Sequence, residues 1–269
     1  MSEAQNRIDA KFAENHKEGK KSLVLFLSAG FPNLETTEEI IEALDQAGTD
    51  ILELGVPFSD PVADGPTIQE ASRKALLAGT TLEKILDMVG RVREKSDMPI
   101  LLFGAYNPFF HYGLEKLVKK AVEVGVDGFL VPDLPMEESD EFHDICEKNN
   151  LSLVYLVAVT TPEERAAQIA QKSTGFIYFV SMKGVTGTSL EVSDSLKQQV
   201  AQLKSVSGGK PVAVGFGIRT PEQAAQIGAI TDAVVVGSQL IRVVEKGVED
   251  GNVAEAVTDY AKSLKDAIS

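Results

Sequence analysis

The 269-residue chain has no tryptophan, one cysteine and three histidines. A lone cysteine, Cys146, cannot close an internal disulfide, so nothing in the sequence asks for an oxidising compartment. His16, His111 and His143 fall on or near predicted helices without metal-ligand spacing, and no metal is expected. Long apolar runs are missing as well. Residues 23–27 and 233–236 stop far short of the roughly 18 that a membrane span needs. The opening MSEAQNRIDAKFAENHKEGKK is polar where a signal peptide would be apolar. These features lead us to expect a cytoplasmic protein with no membrane partner. Cations are in short supply: 26 Lys+Arg against 40 Asp+Glu leave a net charge of −14, a surface that repels nucleic acid backbones and anionic lipid. The sequence also lacks a Gly-x-Ser-x-Gly elbow, a Walker loop and a GxGxxG turn after a strand.

What the sequence does contain is a regular alternation. Short runs of Val, Ile, Leu and Phe are predicted as strands at 23–27, 51–54, 100–103, 128–131, 153–157, 176–180, 212–216 and 233–236, one about every 30 residues, with amphipathic helical segments between them. Thr36/Thr37 with Glu38 and Glu39 are expected to open one helix, and Pro162 and Pro221, each followed by Glu, to open two others. Gly48, Gly125 and Gly228 are expected as left-handed caps that end helices. Eight such units fit an α/β fold of the (β/α)8 TIM barrel type better than an open doubly wound sheet. An extra helix within residues 1–20 would plug the barrel bottom with Ile8 and Phe12. A long loop, PFSDPVADGPTIQ, follows strand 2, with a second helix ending near Lys95. No linker or low-complexity stretch divides the chain, so residues 1–269 are expected to form one domain.

Barrel chemistry sits at the C-terminal ends of the strands. The second strand reads Ile51-Leu52-Glu53-Leu54, which puts a carboxyl inside an apolar run. Burial without a partner raises a carboxyl's pKa, as a general acid requires, whereas a structural acid would find a cation there. The next loop holds Asp60 and Asp64 between Pro57, Pro61 and Pro66, so either could stand over the barrel mouth or serve the turn. Glycine-bearing turns at Gly184–Gly187, Gly215–Gly217 and Gly237-Ser238 mark the last three units, where backbone N–H groups and a helix N-terminus commonly hold phosphate. On so acidic a chain that recognition would fall to amides and hydroxyls such as Ser238 and Thr186, locally offset by Lys183 and Arg219. Lys183 also admits a rival, a Schiff-base aldolase. Cys146 reads as a small apolar residue on a helix's inner face.

The long motif ELGVPFSDPVADGPTIQ at 53–69, with GVTG at 184–187 and GFGI at 215–218, closely resembles the tryptophan synthase α-subunit family. The resemblance implies a lyase of tryptophan biosynthesis that cleaves indole-3-glycerol phosphate to indole and glyceraldehyde 3-phosphate by a retro-aldol reaction, without cofactor or metal. It also implies a pyridoxal-phosphate β subunit as partner in an α2β2 heterotetramer. Position by position, Glu53 matches the general acid/base, and Asp64 the carboxylate that accepts the indole N–H. Phe26, Phe103 and Leu130 match the walls around the indole, with Tyr178 near the pocket. Gly187, Gly217, Gly237 and Ser238 match the phosphate contacts, beside Thr186. Asp60 matches a loop acid that communicates with the β subunit, next to Pro57, Asn107 and Pro135 at the interface. The sequence departs from the family at Val159, where Pro is usual, at Gly104-Ala105 and at Met182-Lys183. The same motifs also suit a stand-alone indole-releasing lyase, or an idle barrel retained to activate a β subunit.

Overall fold

The structure, a computed structural model, describes residues 6–181, 192–215 and 217–269. Eight parallel strands close in chain order into one barrel: β1 (Ser22–Ser28), β2 (Ile51–Gly55), β3 (Ile100–Phe103), β4 (Gly128–Leu130), β5 (Ser152–Ala158), β6 (Ile177–Val180), β7 (Val212–Gly215) and β8 (Ala233–Val236). The predicted (β/α)8 barrel is therefore the fold, with strand ends within one residue of expectation; Phe216 lies outside the described residues. Helix α1 (Arg7–Lys17) precedes the barrel. The connecting helices are α2 (Leu34–Gln46), α3 (Pro66–Leu77), α4 (Leu82–Val92), α5 (Tyr106–Tyr112), α6 (Leu114–Val124), α7 (Asp140–Lys148), α8 (Glu163–Lys172), α9 (Asp194–Val206), α10 (Pro221–Gly228), α11 (Ser238–Asp250) and α12 (Val253–Ile268). No helix of the described residues is long and apolar enough to cross a membrane.

The apolar residues sort into two layers because strand side chains alternate. Leu25, Leu52, Phe129 and Val214 point outward and bury the inner faces of the helices, while Val24, Ile51, Leu101, Leu130, Val154, Ala213 and Val235 fill the barrel. Ile8 and Phe12 of α1 join that inner cluster from below, as predicted, and the Phe12 ring stands 5.6 Å from that of Phe176.

The bottom of the barrel carries a repeated device. The residue just before each of β2, β4 and β8 is an aspartate whose carboxylate accepts an N–H from the first or second residue of the preceding strand: Asp50 from Leu23 at 2.7 Å, Asp127 from Ile100 at 2.8 Å, Asp232 from Val212 at 3.0 Å. The hydroxyl of Thr174 does the same for Leu153 ahead of β6, at 2.7 Å. In all four pairs the backbone N–H of the same residue donates back to the strand carbonyl, so two bonds fix each strand start. Cations hold the carboxylates: Lys265 on Asp50, Arg7 and Arg93 on Asp127, Lys204 on Asp232.

Two local expectations are corrected. Helix α2 begins earlier than Thr36, because the Asn33 side chain caps it by accepting from Thr36 N. Thr37 instead lies buried, accepting from Gly30 N and donating to Asn33 O, where it fastens the β1–α2 turn. Gly228 is not a left-handed cap: it is the last residue of α10, and a Cβ there would come within 3.3 Å of Ile268. Gly48 and Gly125, with φ of 87° and 83°, take the left-handed conformation that was expected.

Candidate active site

The C-terminal mouth of the barrel opens into a cavity whose wall includes both carboxylates singled out in the sequence. Glu53 sits midway along β2, in register between Phe26 of β1 and Leu101 of β3, with its side chain toward the barrel axis. Only 1% of its surface is exposed, and Oε1 has no hydrogen-bond partner among the described residues. Desolvation without compensation pushes its pKa up to about 8, so the free protein holds it as a neutral acid at pH 7. Among the described residues no cation pairs with it, as the structural alternative would require.

Asp64 and Asp60, which the sequence could not rank, are separated by geometry. Asp64 N donates to Pro61 O at 3.1 Å, and Gln69 Nε2 binds the Asp64 carbonyl at 2.9 Å. That turn sets the Asp64 carboxyl on the cavity wall, half-buried, where desolvation raises its pKa to about 6. Asp60 is exposed, accepts from Ser59 Oγ at 2.7 Å and takes no part in the wall. Two carboxyls in one cavity thus hold different protonation states near neutrality, a common acid/base arrangement.

Apolar surface surrounds them. Phe26 and Phe103 pack edge to face, 5.3 Å between centroids, and with Tyr178 they line the cavity. Glycines on neighbouring strands make room: a Cβ on Gly55 would come within 2.5 Å of the Phe26 ring, and one on Gly215 within 2.2 Å of the Tyr178 hydroxyl. Gly215 is thus the end of β7 and a seat for Tyr178 rather than a turn, while Gly217, with φ of 87°, makes the turn. Burial holds the Tyr178 hydroxyl well above its ordinary pKa, with the charge of Glu53 acting in the same sense. Leu130, expected in the indole wall, is fully buried in the barrel interior and is not part of the cavity lining.

Gly217, Gly237 and Ser238 also line the cavity, and a Cβ on Gly237 would come within 3.4 Å of Phe26. Helix α11 starts at Ser238 with no side-chain cap, so its first N–H groups are open to an anion. Thr186, Gly187 and Lys183 lie outside the described residues, as does Met182. Pro57 is buried, while Asp60 and Pro135, on the loops after β2 and β4, and Asn107, in the first turn of α5 after β3, are exposed. A second cavity shares Phe26, Phe103 and Asp64 with the first and leads to Val62, Ala105 and Asp133 after those same strands. Val62 is 86% exposed at this cavity, and Phe110, on α5, is 60% exposed. Of the departures, Gly104 admits Phe109, whose ring would meet a Cβ at 2.9 Å, and Val159 packs against the outer core and lines a crevice with Ala166 and Leu203.

Sequence reading missed Ile68, Leu156, Val235, Gln239 and Arg242, all on the cavity wall. Arg242 carried a usable signal, since it stands one helical turn past Ser238 and so shares its face.

A family model described as tryptophan synthase alpha chain matches residues 12–269. The tryptophan synthase alpha chain of Geotalea daltonii is 51% identical over 241 residues, 89% of this chain and 90% of the relative. That of Caldanaerobacter subterraneus is 42% identical over 263 residues, 98% of this chain and all of the relative. Among solved structures, tryptophan synthase subunit alpha of Legionella pneumophila superposes with a TM-score of 0.92 at 37% identity, covering 98% of this chain and 99% of that one. A chain of Mycobacterium tuberculosis tryptophan synthase does so at 0.90 and 30%, covering 98% of each.

Proposed function

The chain belongs to the tryptophan synthase alpha chain family, and from that membership and the cavity's geometry we propose how Glu53 and Asp64 carry out its reaction. The protein is a lyase of tryptophan biosynthesis and cleaves indole-3-glycerol phosphate to indole and glyceraldehyde 3-phosphate. Breaking the bond between indole C3 and the glycerol carbon requires a proton on C3 and the loss of one from the adjacent hydroxyl. Glu53 does both. Neutral in the free protein, it protonates C3, and the carboxylate so formed takes the hydroxyl proton as the aldehyde forms and the bond breaks, so the proton count returns to its starting value. Asp64, the more acidic of the two, accepts the indole N–H and stabilises the positive charge that develops on the ring during C3 protonation.

The observation that carries this reading is the Glu53 carboxyl, 1% exposed and unpartnered at Oε1 among the described residues, in one cavity with Asp64. Phe26, Phe103 and Tyr178 enclose the indole. Gly217, Gly237 and Ser238 take the phosphate, a role the sequence also gives Gly187 with Thr186. The family's members act with a β subunit. This chain docks its own in an α2β2 assembly through the loops bearing Pro57, Asp60, Asn107 and Pro135, a reading supported by the second cavity leading there and by exposed Val62 and Phe110. The domain is single, and its place is the cytoplasm.

The test is indole release from indole-3-glycerol phosphate by the purified chain, with and without a β subunit, for the parent and Glu53→Gln. Slow release that rises strongly with the β subunit and vanishes in the variant is expected. Fast release from the chain alone means a stand-alone lyase, and none in either condition an idle barrel that only binds its partner.

A further inference from the structure

The phosphate reading leaves an electrostatic gap. Amides and one hydroxyl must attract a dianion to a protein of net charge −14. Among the described residues, the only cations on the cavity wall are Arg219 and Arg242, and each sits on a segment that bears a phosphate-contacting residue. Arg219 follows Gly217 by two residues. Arg242 follows Ser238 by four, which puts both on one face of α11.

The partners of Arg242 are neutral. Nη1 donates to Gln239 Oε1 at 3.3 Å and Nη2 to Thr67 Oγ1 at 3.2 Å. Two carboxylates share a crevice with it, Glu70 and Glu245, and both are engaged by other cations: Glu70 by Arg73 and Glu245 by Lys74, each at 2.7 Å. The exposed guanidinium thus bonds only to neutral groups and makes no ion pair among the described residues. A planar five-donor cation in that state is suited to bind a phosphate through charge-assisted hydrogen bonds.

Building on the assignment of this cavity to indole-3-glycerol phosphate, we propose that Arg242 is a specificity-determining residue whose fixed charge selects the dianionic phosphate end of the substrate, with Thr67 holding it at the cavity mouth. Thr67 stands three residues past Asp64, so the same bond ties the phosphate end of the cavity to the segment that carries the indole N–H acceptor.

The experiment compares the parent with Arg242→Gln, Arg242→Lys and Thr67→Val in indole release at several ionic strengths, with inorganic phosphate as competitive inhibitor. Loss of one charge-assisted bond in Arg242→Gln raises both the KM and the phosphate inhibition constant about tenfold, against a fall in kcat of no more than about twofold. It also flattens the salt dependence of kcat/KM, because the screened charge is gone. Arg242→Lys keeps the salt dependence and recovers part of the affinity. Thr67→Val keeps the salt dependence with a smaller rise in KM. A phosphate inhibition constant and a salt dependence unchanged in Arg242→Gln would overturn the proposal. Should the parent release no indole, the reaction assignment fails separately, and calorimetry with inorganic phosphate still decides the arginine: binding about tenfold weaker in Arg242→Gln supports it, while equal binding, or none by the parent, removes it.

Discussion

Glu53 faces opposite demands from folding and from catalysis. Its carboxyl ionises near pH 4.5 in an unfolded chain and near 8 when folded, so between those values folding takes up a proton. Its neutral form costs nothing extra below pH 4.5, and the folded state loses stability steadily as pH rises toward 8. Glu53→Gln removes that loss: in urea unfolding the variant should match the parent near pH 5 and exceed it by a few kcal/mol at pH 8, while releasing no indole. Parallel stability curves would show that the carboxyl is not held neutral. In the parent, kcat/KM should fall above about pH 8 as Glu53 ionises and below about pH 6 as Asp64 takes a proton, a bell read from the free enzyme. Gly104 poses the packing counterpart. Because Phe109 and Val56 already fill the space of a Cβ, at 2.9 and 3.1 Å, Gly104→Ala should cost about 1–3 kcal/mol of stability, measured by thermal or urea unfolding. Glu53 was legible in the sequence because a charge inside a short apolar run breaks a local pattern. The choice between Asp60 and Asp64 was not, since it depends on how a loop crosses the barrel mouth, and that path is set by Gln69 and by residues distant in sequence.

At the level of elements, the strands were legible for the same local reason, and the devices that pin them were not. Asp50, Asp127, Thr174 and Asp232 look like ordinary pre-strand polar residues. Their shared role appears only once each lies beside the start of the preceding strand, about 20 to 27 residues back. Asp127 takes two cations, Arg93 and Arg7, besides Ile100 N, while only 4% of its side chain is exposed. Asp127→Asn leaves the Arg93 guanidinium, 9% exposed, without its carboxylate and should cost about 3 kcal/mol, the usual penalty for breaking a buried pair from one side. Thr174→Val removes the hydroxyl's two neutral hydrogen bonds to Leu153, one of them long, and should cost about 1 kcal/mol. Both lie at the end of the barrel away from the cavity, so indole release per folded molecule should stay within about twofold of the parent while the unfolding midpoint drops. A comparable loss of rate in either variant would mean that the two ends of the barrel are coupled.

The whole molecule sets stability and function at opposite faces, and one exposed region on the functional face is left unused by the chemistry. Val62, on the loop after β2 in the lining of the second cavity, and Phe110, on helix α5 after β3, are large apolar side chains at 86% and 60% exposure, with the exposed acid Asp60 on the Val62 loop and Asp133 on the loop after β4. Single exposed hydrophobes need no explanation, but Val62 at the end of a cavity that starts at the indole wall, with Phe110 on the helix after the next strand, matches the centre of a docking surface with acids as its rim. The sequence pointed to the loops and missed these two residues, because Phe110 lies on a short helix whose buried side is taken by Phe109, and only the packing decides which of two adjacent rings faces out. Phe110→Ser should therefore weaken β-subunit affinity by about tenfold or more, as truncating a buried aromatic anchor does, while the chain alone releases indole at its own rate. The acidic rim adds a second signature: association with the β subunit should slow as salt is raised, in Phe110→Ser as in the parent, since steering belongs to the charges and affinity to the ring. Equal affinity of Phe110→Ser and parent for the β subunit would move the docking surface off this face of the barrel.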